Sequence, residues 1–76
     1  MVSTTFAVSG VRSDDEVPAA LQALFDVFAE LGLGQATFEV TDTDVARLYV
    51  KHRRSVTPDR VAISGALSTV GAHLVD

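Results

Sequence analysis

The residues with the clearest potential for chemistry form one run, Ser13-Asp14-Asp15-Glu16, which follows a short alternating segment and precedes a long periodic one. A hydroxyl and three carboxylates are hard oxygen donors, suited to calcium or magnesium. Adjacent carboxylates at a helix start point in different directions, however, and no spaced set of further oxygen ligands follows. Acidic side chains also stabilise the positive end of a helix dipole. We therefore predict a helix start here and keep Asp14, Asp15 and Glu16 as weak candidates for metal ligands.

The nitrogen donors are two histidines, His52 and His73, and both are far from the acidic run in sequence. A lone imidazole does not make a metal site, so His73 is predicted to be an exposed residue of a final strand, with a ligand role as the alternative. His52 belongs to the cationic cluster Lys51-His52-Arg53-Arg54. That cluster is either a solvated loop after a hairpin or a contact surface for an acidic partner or phosphates.

Enzymatic interpretations find little support in these residues. A Ser–His–Asp mechanism needs a strained, glycine-flanked serine with a base in reach, and the sequence offers neither. The turn Gly10-Val11-Arg12 is similar to the glycine–valine–arginine turn of acylphosphatase. Ser13 and Asp14 nevertheless stand where that family has phenylalanine and arginine, and the chain has no asparagine to position a water. We predict that the protein is not an enzyme.

Composition sets the class of protein. The chain has 76 residues, of which 47% are hydrophobic and 21% charged, with a net charge of −4 and no cysteine. One domain over residues 1–76 is expected, stabilised by packing because disulfides and thiolate metal sites are excluded. An acidic chain argues against nucleic-acid binding, and no apolar run approaches the roughly 20 residues that span a bilayer. Residues 1–6 lack a signal-peptide pattern, so the expected location is the cytoplasm.

Hydrophobic periodicity predicts six elements in the order βαββαβ. Strands are expected over residues 4–9, 35–40, 45–51 and 72–75, with helices over 15–31 and from Thr57 to Gly71. In the third strand the alternation turns Arg47, Tyr49 and Lys51 toward water. The economical arrangement is an α+β, ferredoxin-like fold, in which a four-stranded antiparallel sheet carries both helices on one face.

The first helix is expected to begin after a cap at Asp14 or Asp15, because Pro18 then falls in the first turn. Its buried stripe is predicted to consist of Leu21, Leu24, Phe25, Phe28 and Leu31.

The second helix is expected to begin with Thr57 as cap and Pro58 at the first helical position. Its buried stripe is predicted to consist of Ile63, Ala66, Leu67 and Val70.

The loop after the first strand resembles the metal loop of heavy-metal-associated domains and small copper chaperones, which carries Gly-Met-x-Cys-x-x-Cys. Aligned on Gly10, the family methionine is Val11, and the two cysteines are Ser13 and Glu16. The length and the order of elements also fit this family over nearly the whole chain. Copper(I) prefers thiolate sulfur, so the family's transport function does not pass to a hydroxyl and a carboxylate.

The resemblance and the missing ligands together predict a small non-catalytic interaction or regulatory module on a metallochaperone-like scaffold. A protein partner is expected, and homo-oligomers could form through an exposed strand edge. The candidate interaction surface consists of Arg47, Tyr49, Lys51, His52, Arg53 and Arg54. No cofactor is expected. The alternative is a metal carrier that uses histidine and carboxylate ligands.

Overall fold

The computed structural model describes residues 1–75 and contains four strands and two α-helices. In chain order the elements are β1 (Val2–Ser9), a 3₁₀ turn (Asp14–Glu16), α1 (Val17–Leu31), β2 (Ala36–Glu39), β3 (Val45–His52), α2 (Arg60–Ser68) and β4 (His73–Val75). No helix within residues 1–75 is long and apolar enough to cross a membrane.

The four strands form a single antiparallel sheet in the order β2-β3-β1-β4. The longest strands, β1 and β3, lie in the centre, where Phe6 is opposite Leu48 and Val8 is opposite Ala46. The two short strands, β2 and β4, form the edges. The predicted α+β, ferredoxin-like fold is confirmed.

The core lies between one face of the sheet and the two helices. Its members are apolar residues at alternate strand positions and at helical spacing: Phe6, Val8, Val11, Ala20, Leu24, Phe28, Ala46, Leu48, Val50, Ile63, Leu67 and Ala72. Leu24 and Phe28 of α1 and Ile63 and Leu67 of α2 belong to this one core, and the two helices contact each other. Burial of this apolar area is the main source of stability for a domain that has no disulfide.

Two predicted members of the buried stripes are wrong. Phe25 is 73% exposed, because it is displaced by about 100° around the helix axis from its buried neighbour Leu24. Val70 is also exposed, because α2 ends at Ser68 and Val70 lies in the turn that follows.

Both helices begin later than the sequence indicated. The first α-helical residue is Val17, which places Pro18 in the first turn as predicted, but neither Asp14 nor Asp15 caps the helix. Those residues instead form the 3₁₀ turn. In α2 the cap is Asp59 and not Thr57, since the Asp59 carboxylate accepts hydrogen bonds from the backbone N–H groups of Val61 and Ala62.

Candidate functional site

The loop after β1 is held against the turn that ends α2. Gly10 has φ +94°, a conformation that side chains rarely adopt, and a Cβ at this position would lie 2.6 Å from the carbonyl oxygen of Gly71. The same Cβ would lie 2.9 Å from the Cα of Ala72. Only glycine permits this close approach. Val11, the next residue, is fully buried and anchors the loop in the core.

Ser13 and Glu16, which the resemblance in sequence aligns with two cysteines, lie one turn apart. The backbone N–H of Glu16 donates to the carbonyl oxygen of Ser13 over 3.1 Å. The Glu16 side chain turns back and its Oε1 accepts a hydrogen bond from the backbone N–H of Arg12 over 2.9 Å. The carboxylate therefore closes the loop on itself.

A second contact ties this loop to the turn between β2 and β3. Arg12 Nε lies 3.3 Å from Asp44 Oδ1, and both side chains are well exposed. Exposed pairs of this kind contribute about 0–1 kcal/mol, so the contact positions the loop more than it stabilises the fold.

The candidate metal ligands do not converge. Asp14, Asp15 and Glu16 are all exposed residues of the 3₁₀ turn. Within residues 1–75, no group of three or more histidine, aspartate or glutamate side chains is arranged to hold a metal ion. His73 is exposed on β4, opposite Ser9 of β1, and the Ser9 hydroxyl lies 2.8 Å from His73 Nε2.

His52 does not lie on the proposed interaction surface, and its assignment to that surface was wrong. Strand β3 continues one residue further than predicted, so His52 follows Ala46, Leu48 and Val50 onto the helix-facing side and is only 6% exposed. Its Nδ1 donates to the carbonyl oxygen of Arg53 over 2.8 Å, and its Nε2 lies 2.7 Å from the Thr4 hydroxyl. The imidazole is a structural part of the sheet.

The rest of the predicted surface is accessible. Arg47 and Lys51 are exposed on the open face of β3 and Tyr49 is half-buried there, while Arg53 and Arg54 are exposed after the strand. Arg47 Nη1 lies 2.7 Å from Glu39 Oε1 on β2, and the Tyr49 hydroxyl donates to the same oxygen over 3.2 Å.

These hydrogen bonds shift the pKa values of both partners. The bond from Arg47, followed by the one from Tyr49, lowers the pKa of Glu39 below its usual value of 4.5. The bond to Glu39 raises the pKa of Arg47. Glu39 and Arg47 therefore neutralise each other on the open face, and Lys51 is the remaining charged residue of β3 on that side.

A feature that the sequence analysis missed is an apolar groove between α1 and β2. It encloses about 380 Å³ and is lined by Leu21, Leu24, Phe25, Phe28, Ala29, Leu33, Gly34 and Ala36. A second concavity adjoins it and is lined by Leu21, Gln22, Phe25 and Asp26. Leu21 and Phe25 line both. The helical periodicity marks Phe25 as apolar but does not show which edge of the apolar stripe stays uncovered.

Comparisons with protein-family models, curated proteins and solved structures gave no match to this chain, so its likeness to heavy-metal-associated domains remains a resemblance of pattern.

Proposed function

We propose that this chain is a small non-catalytic protein-interaction module on a metallochaperone-like scaffold whose metal loop has lost its ligands. The observation that carries the proposal is the exposure of Phe25 in the groove between α1 and β2. A large aromatic side chain left in water, next to an apolar groove, is the kind of anchor on which protein interfaces depend.

The loop after β1 supports the same proposal, because its residues are not suited to carrying copper(I). Its carboxylate at position 16 accepts a hydrogen bond from the Arg12 backbone, and its guanidinium pairs with Asp44. Hard oxygen donors at Ser13 and Glu16 have no chemistry in common with copper(I) transport. The scaffold is therefore free to serve binding through another surface.

The test compares Phe25→Ser with Val61→Ser, because Val61 is another exposed apolar residue but lies on α2, away from the groove. Each protein is used to capture partners from lysate, and any captured partner is purified and its affinity measured directly. We expect Phe25→Ser to weaken binding of the purified partner by about tenfold or more, and Val61→Ser to leave it unchanged.

Two results would contradict the proposal. One is a purified partner that binds the Phe25→Ser variant as tightly as the natural chain. The other is submicromolar binding of copper(I), zinc(II) or nickel(II) by the isolated chain under chelator competition, which would favour the carrier function.

A further inference from the structure

We propose that the groove between α1 and β2 receives an extended, basic segment of a partner protein, which adds to β2 as a fifth strand of the sheet. This inference rests on the proposed function and specifies the mode of binding and the chemistry of the partner.

The first argument is the free backbone edge of β2. Within residues 1–75, β2 pairs only with β3 and ends the sheet. The Lys51 backbone N–H donates to the Gln35 carbonyl over 2.9 Å, which makes these two residues a hydrogen-bonded pair. Because such pairs alternate along an antiparallel ladder, the peptide groups of Ala36 and Phe38 point away from β3. They are available to an incoming strand.

The entry to β2 is built as a bulge. Gly34 N–H donates to the Lys51 carbonyl over 2.7 Å, so two successive residues, Gly34 and Gln35, bond to one residue of β3. A bulge bends a strand and increases its twist. A Cβ on Gly34 would lie 2.8 Å from that carbonyl oxygen, so glycine is needed for the close approach. Gly34 also lines the groove, and its lack of a side chain keeps that end open.

The second argument is the position of the apolar groove beside this edge. Its walls come from α1 on one side and from Leu33, Gly34 and Ala36 on the other. Side chains of a strand added to β2 would alternate between the open face and the helix face of the sheet. Those on the helix face would enter the groove against Leu21, Phe25 and Ala29. Small apolar residues at these positions fit the available volume.

The third argument is charge. The α1 sequence, VPAALQALFDVFAEL, contains Asp26 and Glu30 but neither lysine nor arginine. Both acids are exposed, and within residues 1–75 neither makes an ion pair. Asp26 lines the concavity next to Phe25, and Glu30 lies one turn further along the same side of the helix. A lysine whose stem crosses Phe25 would bring its ammonium group to these carboxylates.

Charge also argues against a second copy of this chain as the occupant. The edge strands are ATFE and HLV, and neither contains lysine or arginine. Each copy carries a net charge of −4 and the same acids on α1. Like charges across an interface oppose association, so a basic foreign segment fits better.

The probe is a fluorescent peptide, Thr-Lys-Thr-Val-Thr-Val-Thr-Lys-Thr, in which valines and lysines alternate with threonine. A matched peptide has glutamate in place of both lysines, and a third has proline in place of the second valine, whose N–H would face β2 in an antiparallel added strand. Anisotropy reports affinity, and amide chemical shifts locate the site. We expect the lysine peptide to bind with shifts centred on Ala36, Phe38 and Phe25.

The matched variants separate the three arguments. The glutamate peptide and the proline peptide should each bind about tenfold more weakly, because one loses the charge pairing and the other loses a strand hydrogen bond. Phe25→Ser should weaken binding of the lysine peptide by about tenfold. The double variant Asp26→Asn with Glu30→Gln should lower the affinity for this peptide and make that affinity less dependent on salt. Val61→Ser should bind the lysine peptide with the same affinity as the natural chain. A thermal melt of each variant checks that it is folded.

Three outcomes would overturn the inference. These are equal binding of all three peptides, chemical shifts centred on the open face of β3, and a dimer of the natural chain in sedimentation that Phe25→Ser dissociates. If the peptide fails while a purified partner still depends on Phe25, the strand-addition mode is wrong and the proposed function stands. If no purified partner depends on Phe25, the proposed function fails as well.

Discussion

The two regions at opposite ends of α1 differ in what they leave unsatisfied. At the start of the helix, the loop that resembles a metal site uses its polar groups internally, through Glu16 on the Arg12 backbone and Arg12 on Asp44. Toward the end of the helix, the groove leaves Phe25 in water beside the edge of β2, which has no second neighbouring strand within residues 1–75. Arg12 and Glu16 of the loop are thus bonded internally, whereas the groove offers apolar side chains that are accessible to a partner.

The largest expected effect tests whether Phe25 is separate from the core. Phe28→Ala should cost about 3–5 kcal/mol, because Phe28 is 6% exposed and packs among core residues. Phe25→Ala, three residues earlier, should change the free energy of unfolding by about 0.5 kcal/mol or less. Urea denaturation of both variants measures this contrast. Equal losses would mean that Phe25 belongs to the core and is not available to a partner.

The next effect tests whether the loop has the geometry of a two-cysteine metal site. Replacing Ser13→Cys and Glu16→Cys together should raise copper(I) affinity by about 100-fold or more over either single variant, since two thiolates one turn apart can share one ion. Competition with a chelator of known strength gives the affinities of the natural chain and the three variants. A double variant that binds no better than the single ones would mean that the alignment on Gly10 is wrong.

A smaller effect compares the glycines that anchor the two regions. Gly10→Ala should cost about 2 kcal/mol, because it combines a positive φ with a contact to the Gly71 carbonyl. Gly34→Ala should cost about 1 kcal/mol, because it meets the Lys51 carbonyl without a positive φ. Gly65→Ala is the control. A Cβ at position 65 would meet no atom of a neighbouring element within 4 Å, and alanine should stabilise α2 by about 0.5–1 kcal/mol. If chemical denaturation shows a larger loss of stability for Gly34→Ala than for Gly10→Ala, the loop after β1 accommodates a side chain more easily than the start of β2 does.

The smallest effect concerns the ion pair between Glu39 and Arg47 on the open face of the sheet, which belongs to neither region. Because the folded-state pKa of Glu39 is lowered, its contribution to stability is present above the ordinary pKa of 4.5 and is lost as the pH falls through the folded-state value. Glu39→Gln should therefore be slightly less stable than the natural chain at neutral pH, with the difference vanishing on acidification. Thermal melts across this range, with Thr37→Ser as a neutral control, measure it. A difference that persists in acid would exclude the ion pair as its cause.

The sequence was sufficient for the order of elements and for most of the core, because the positions of Leu24, Phe28, Ile63 and Leu67 repeat at helical spacing. It was insufficient where two local signals compete. Thr57-Pro58 and Asp59 are both plausible helix starts, and the side chain of Asp59 takes the hydrogen bonds. Propensity alone does not show which cap the tertiary contacts select.

The candidate site was less predictable for a different reason. His52 continues the alternation of β3, so its burial could have been found by extending the strand one residue past Lys51. The groove left no comparable signal. It is formed by residues of α1 together with Leu33, Gly34 and Ala36, so it depends on how these segments pack and not on the pattern of either one alone.

The central position of β1 also determines how the chain folds. The partners of this strand are remote: Thr4 meets His52 across 48 residues, and Ser9 meets His73 across 64. The β2–β3 hairpin, by contrast, closes over a short turn. Since folding rates fall as contacts become more distant in sequence, this domain is expected to fold more slowly than a helical bundle of its size. Of the four strands β1 is synthesised first, and β4, its second neighbour in the sheet, is synthesised last.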